Sequence, residues 1–244
     1  LYTKMKIKYI FFLILILLDF VSPYQGKAKL VKFSTSANCG FKDYYDLTKR
    51  EASIASNIFK KSEACGGCVK LKAPNGNIVR ARIIEQCVDC GDNSLGVTSD
   101  VFDIIKSRNE NEVSVTWDWV PCYTVGFFEY YIDTSANEYY ISFQVRNASM
   151  RVKNVYIYSD INKNYIKMGR REDFYFYHNP GNPLQKPLSI RIESISGEII
   201  EDQISQFTAG KLVPGNARFT ENGDPNSSCI LKVGFLGYFI LLII

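Results

Sequence analysis

The sequence predicts an all-β chain of two domains, the first stapled by disulfides and the second not. Three observations carry that prediction. Six of the seven cysteines fall between Cys39 and Cys122, and none lies between Tyr123 and Ser228. Short runs of period-two apolar patterning alternate with turn residues through the second half and much of the first. The two ends are far more apolar than the middle, so neither is counted in the fold.

The ends set the compartment. Lys4, Lys6 and Lys8 precede an apolar run from Tyr9 to Leu18, the charged and hydrophobic regions of a secretory signal peptide, expected over residues 1–24. The run is too short to span a bilayer. Residues 229–244 form a hydrophobic tail after the small polar group Asn226-Ser227-Ser228. Three readings of the tail stay open: a glycolipid-anchor signal, a short membrane-tethering helix, or a buried terminal strand. The expected location is therefore secreted or at the outer cell surface, with membrane attachment only through this tail. Asn147 and Asn226 open glycosylation sequons that agree with that route. The net charge of +4 is modest and the cations are scattered, which argues against a nucleic-acid partner.

The cysteine spacing admits two chemistries. Cys65-x-x-Cys68 followed by Cys87-x-x-Cys90 fits a four-thiolate zinc ribbon, but that reading strands Cys39 and Cys122. In an oxidising compartment thiols pair, so three disulfides and no metal are expected. Spacing alone does not choose among the possible pairings.

Along the first domain, expected over 27–124, Cys68 to Leu71 and Ile78 to Ile84 read as a hairpin about the Asn75-Gly76 turn. Val79, Ala81 and Ile83 form its buried face. Helical spacing of Ala52, Ala55, Ile58 and Phe59 predicts a helix over 49–59, and Thr98 or Ser99 is placed to cap a second through Val101, Phe102 and Ile105. A strand returns at Val113 to Trp117. The second domain, expected over 126–221, reads as a β-sandwich. Tyr139, Ile141, Phe143 and Val145 alternate with Tyr140, Ser142, Gln144 and Arg146, and Leu188, Ile190 and Ile192 alternate with Ser189, Arg191 and Glu193, each run with one core face and one wet face.

Taken in order, Cys39-Gly40, Ala52-Ser53-Ile54-Ala55, Ala64-Cys65-Gly66-Gly67-Cys68, Pro74-Asn75-Gly76, Gln86-Cys87-Val88-Asp89-Cys90-Gly91, Val120-Pro121-Cys122, Gln144-Val145-Arg146-Asn147 and Pro214-Gly215-Asn216 resemble the expansins, most of all the non-plant, expansin-like branch. The resemblance implies a six-stranded double-psi β-barrel, similar to family-45 endoglucanases, followed by an immunoglobulin-like β-sandwich. It also implies the bridges Cys39 to Cys65, Cys68 to Cys122 and Cys87 to Cys90. It further implies binding to cellulose or a related wall polysaccharide, loosened without hydrolysis and without a cofactor. The family's groove acid falls on Glu85. Its second acid position is occupied by Gly96, and a polar position of its first strand by Val31. The sugar-stacking aromatics fall on Tyr139 and Tyr140, with the third on Phe174, or on Tyr175 if the register slips by one.

Glycoside hydrolysis needs two carboxylates held across the bond. Glu85 is one, and none of Asp89, Asp92 or Asp100 sits where the second belongs, so the chain is not expected to be an enzyme. The lone His178 reads as a loop residue. The alternative to wall loosening is a cellulose-binding matrix protein in which the barrel survives as a scaffold, a reading that the loss at Gly96 favours.

Overall fold

The computed structural model describes residues 22–33, 37–41, 50–107 and 110–220. Residues 1–21 of the expected signal segment, the tail with Cys229, and the sequon at Asn226 lie outside the described residues, whereas Tyr24, the last residue of that expected segment, is the first of a barrel strand. Among the described residues no helix is long and apolar enough to cross a membrane.

The first six strands, β1 (Tyr24–Leu30), β2 (Glu51–Ala55), β3 (Cys68–Lys72), β4 (Ile78–Cys87), β5 (Leu95–Val97) and β6 (Glu112–Val120), close a double-psi barrel. Their order around it is β1-β5-β2-β4-β3-β6. β1 runs parallel to β5, and β2 parallel to β4. Tyr24 opens β1, three residues before the expected start at Lys27, because its ring stacks on Trp117 of β6 with centroids 4.2 Å apart. The interior is filled by Ala28, Ile54, Val69, Leu71, Ile83, Leu95, Val97 and Trp117, all at most 1% exposed.

The helix expected over 49–59 is a correction. Glu51–Ala55 is β2, and only Ser56–Phe59 is helical (α1). A strand with neighbours on both sides is buried on both faces and loses the alternation that marks a strand. β2 lies between β4 and β5, and Ala52, Ser53, Ile54 and Ala55 are all buried. The second helix, α2 (Ser99–Ile105), begins after Thr98. The Thr98 side chain does not cap it and instead accepts from the Glu51 N–H at 3.3 Å.

Three disulfides join Cys39 to Cys65, Cys68 to Cys122 and Cys87 to Cys90. The two Cys-x-x-Cys pairs therefore do not meet as four thiolates, which removes the zinc-ribbon reading.

The remaining nine strands form the sandwich. One sheet is β10 (Asn164–Lys167), β9 (Val152–Ser159), β13 (Leu188–Ser194) and β14 (Ile199–Ile204). The other is β11 (Gly169–Arg170), β12 (Phe176–His178), β8 (Ile141–Arg146), β7 (Glu129–Ile132) and β15 (Leu212–Pro214). Tyr130, Ile132, Phe143, Val145 and Phe176 face Val155, Ile157, Ile190, Ile192 and Ile204 across the core. Beside them the buried Tyr130 hydroxyl donates to Asp202 Oδ2 at 2.5 Å, and the Asn216 N–H donates to the same oxygen at 3.0 Å. Gly215 is required for this approach, since a Cβ there would lie 2.5 Å from Asp202 Oδ2. The Pro-Gly-Asn motif is thus a core-closing turn.

β8 departs from the expected core face and wet face. All six of its residues are buried, and the barrel's segment 37–41 lies against Gln144 and Arg146 on the face expected to be wet. Gln144 Nε2 donates to the Cys39 carbonyl at 2.9 Å and the Asp173 carbonyl at 3.0 Å, while its Oε1 accepts from Arg146 Nε at 2.9 Å. The Arg146 guanidinium lies 4.2 Å over the Tyr131 ring. A second seam pairs Arg151 with Trp119, the guanidinium 3.8 Å over the ring. Gln144 and Arg146 are thus satisfied despite their burial, whereas the buried Ser142 hydroxyl makes no hydrogen bond.

Candidate functional site: a barrel groove continued by an aromatic sheet face

Glu85 is half-buried near the end of β4, opposite Ser53 of β2. On the far side Ser53 pairs with Gly96 of β5. The expected acid position, the lost acid position and a small polar residue therefore share one row across three strands. Glu85 Oε1 accepts from the N–H of Asn38 and of Gln86, each at 3.0 Å, which fixes the carboxylate at the barrel mouth. Its remaining lone pairs can accept from sugar hydroxyls.

Gly96 is buried and has no positive φ; what excludes a side chain there is space. An added Cβ would stand 2.4 Å from Ser53 Oγ and 2.9 Å from Val31 Cγ1. Ser53 and Val31 thus occupy the room that a side chain at Gly96 would need.

The aromatic set requires correction. Tyr139 is exposed at 47% and Tyr140 is half-buried; both precede β8, in a turn held by the Asn137 N–H donating to the Tyr140 carbonyl at 2.8 Å. Release from the strand is why Tyr139 faces solvent rather than the core. Phe174 and Tyr175 are 1% and 7% exposed and offer no sugar platform. Phe174, at φ +66°, packs edge-on to Phe41 at 5.5 Å. Tyr175 is enclosed beside Tyr131, with the Arg171 guanidinium 4.8 Å over its ring. Burial, with Asp133 nearby, pushes its phenol well above the ordinary range. Arg171 itself bridges Asp133 and Asp173 and so holds the loop that tucks both rings in.

An exposed aromatic beside Tyr140, missed in the sequence, is Tyr177 at 39%. It pairs with Ser142 and sits 6.5 Å from Tyr140 at a 31° tilt. Its ring lies over Gly169, where a Cβ would come within 2.4 Å of the ring. The register that lays this ring on Gly169 belongs to the sheet and is not readable from residue order.

Groove and face connect through residues 37–41. Asn38 holds Glu85, and the next residue, Cys39, is held by Gln144 of β8; this link is internal, since Cys39, Gln144 and Ser142 are fully buried, and Tyr177 pairs with Ser142 beside it. Asn147, at φ +53°, donates both amide hydrogens to the Val125 and Phe127 carbonyls at 2.7 Å. Its side chain clasps the interdomain segment, and a glycan there would displace one of those bonds. His178 ends β12 rather than lying in a loop. Among the described residues the one cluster with metal-ligand spacing is Cys87, Asp89 and Cys90, and its two sulfurs are consumed by their mutual disulfide.

Residues 126–220 match the expansin-like protein middle domain family. Two Dictyostelium discoideum proteins are similar over most of the chain. Expansin-like protein 6 is 24% identical over 199 residues, 77% of this chain and 68% of that protein. Expansin-like protein 1 is 22% identical over 242 residues, 88% of this chain and 82% of that protein. The chain is expansin-like. In three dimensions the apo expansin of Clavibacter michiganensis superimposes with a TM-score of 0.72 at 18% identity, covering 81% of this expansin-like chain and 98% of the bacterial one. A mutant of that bacterial expansin, solved in complex with cellohexaose, gives 0.71.

Proposed function

We propose that this expansin-like protein acts outside the cell, binding a cellulosic wall or matrix glucan along the barrel mouth and the Tyr139, Tyr140, Tyr177 face and loosening it without hydrolysis. The observation that carries this reading is the bonded link between the two parts. One fixed carboxylate, Glu85, is tied through Asn38, Cys39 and Gln144 to the sandwich, on which Tyr177 is exposed beside the half-buried Tyr140 and Tyr139 is exposed on the turn before β8. Tyrosine offers a flat apolar face to a sugar ring and a hydroxyl to its edge, and a carboxylate accepts strong hydrogen bonds from sugar hydroxyls. The bound cellohexaose in the mutant Clavibacter expansin supports the ligand class.

Enclosure of Gly96 by Val31 and Ser53 favours a second reading, binding without loosening, because the groove then has one acid to grip a glucan. The same enclosure argues against hydrolysis, which draws on a carboxylate pair. Extension of a cellulose-based wall under constant load, with released soluble sugar measured in parallel, separates the three. The proposal expects extension by the parent, loss with Glu85→Gln and no sugar in either case. Sugar release that needs Glu85 overturns it in favour of a hydrolase, and tight binding without extension overturns it in favour of a binding module.

A further inference from the structure

We propose that the cleft at the tip of the sandwich is a second sugar subsite, taking a side branch of a neutral glucan whose main chain lies on Tyr139, Tyr140 and Tyr177. This rests on the glucan-binding reading above. The cleft has a volume of about 590 Å³ and lies between the turn after β9 and the loop from His178 to Pro187. That size is ordinary for a small-molecule site, about 300–1,000 Å³.

Its chemistry fits an uncharged, polyhydroxylated ligand. Tyr158 and the rings of Pro180, Pro183 and Pro187 supply flat apolar walls, and Asn182 and Gln185 supply amides that both donate and accept. Its charged groups have partners of their own, Asp160 with Lys163 at 3.8 Å and Lys186 over the Phe207 ring at 4.4 Å, so neither an anion nor a cation is selected. His178 also lines it, and burial holds its imidazole below the usual range, toward the neutral form that can donate and accept.

Position selects a branch over an unrelated ligand. Tyr177 and His178 are consecutive on β12, so their side chains leave opposite faces of the sheet: Tyr177 joins the outer aromatic face, and His178 lines the cleft. His178 pairs with Ile141, the residue after Tyr140. The cleft's own loop is tied to the aromatic turn, the Leu184 N–H donating to the Glu138 carbonyl at 2.7 Å, one residue before Tyr139. A substituent leaving a chain seated on the tyrosines turns over this sheet end into the cleft, whereas a linear glucan passes by.

The test compares a soluble β-1,4-glucan carrying xylose branches with linear cellohexaose and insoluble cellulose, on the parent, Asn182→Ala/Gln185→Ala and Tyr177→Ala. Asn182 and Gln185 are exposed, so the double variant leaves the core untouched. It is expected to weaken the branched ligand about tenfold, the loss of one or two neutral hydrogen bonds, and to leave cellulose binding unchanged. Tyr177→Ala is expected to weaken all three. Because the chain has one histidine, its imidazole resonances report the cleft directly and should move with the branched ligand and stay put with cellohexaose. Equal affinity of double variant and parent for the branched ligand, or a stationary His178 signal at saturation, overturns the proposal. A parent that binds none of the three ligands overturns the glucan reading itself, and the subsite falls with it.

Discussion

The barrel and the sandwich hold their parts of the proposed site by opposite means. In the barrel, three disulfides tie the chain, and the site row is made by keeping side chains small: Ser53 and Gly96 lie flat beside Glu85, with Val31 filling the space between. In the sandwich there is no cysteine between residues 123 and 228. The core is apolar, with the buried Tyr130–Asp202–Asn216 bonds at its side, and the site is made by displaying rings. Covalent ties stabilise mainly by restricting the unfolded chain, whereas the sandwich depends on folded-state contacts alone. A groove built from small, enclosed residues has little room for change; an exposed aromatic face has a great deal.

The largest break in that comparison comes from the staples. Cys68→Ala/Cys122→Ala opens a loop of 54 residues and is expected to cost the barrel about 4 kcal/mol in the chain-entropy account. Both tryptophans, Trp117 and Trp119, lie on β6, so tryptophan fluorescence during denaturant unfolding reads the barrel specifically. An unchanged midpoint would contradict the assignment of barrel stability to the bridge. Next in size is Gly96→Ala, expected to cost about 2 kcal/mol by overpacking and to be partly rescued by Val31→Ala in the same chain. If the two losses simply add, Val31 and Gly96 are not exchanging volume.

A smaller and pH-dependent effect belongs to the outer sandwich sheet. Hydrogen bonds from Asn154 and Lys153 hold the Glu193 carboxyl down at about 2, against an ordinary 4.5. A folded value below the unfolded one gives stability that is full above pH 4.5 and lost as pH falls towards 2. Thermal melts of the parent and Glu193→Gln should differ at pH 6 and converge near pH 2. A gap that does not depend on pH would show that the carboxylate's charge is not what stabilises the sheet.

Much of the barrel was legible because hairpins and cysteines announce themselves locally: β3, β4 and their Asn-Gly turn follow directly from residue order. β2 was not, since burial on both sides erases alternation and leaves small residues that read equally well as helix. On the sandwich, alternation gave the core residues Ile141, Phe143 and Val145 correctly. It could not reveal that Gln144 and Arg146 face the barrel, because a polar residue buried against another domain looks the same in sequence as one facing water. The aromatic strip failed for the same reason. Phe174 and Tyr175 are drawn inward by Phe41 and Arg171, partners remote in sequence, and the exposed ring two residues on, Tyr177, is flattened by a glycine on a neighbouring strand.

The most direct test of the proposed aromatic face is the affinity of the protein for insoluble cellulose with Tyr177→Ala set against Tyr175→Phe. A central stacking ring is worth on the order of 2 kcal/mol, so Tyr177→Ala is expected to bind roughly thirtyfold more weakly with its unfolding midpoint intact. Tyr175→Phe, altered only at an enclosed phenol, is expected to bind as the parent does. Parent-like binding by Tyr177→Ala together with a loss on Tyr175→Phe would contradict the account, since the working aromatic would then be the ring the structure encloses.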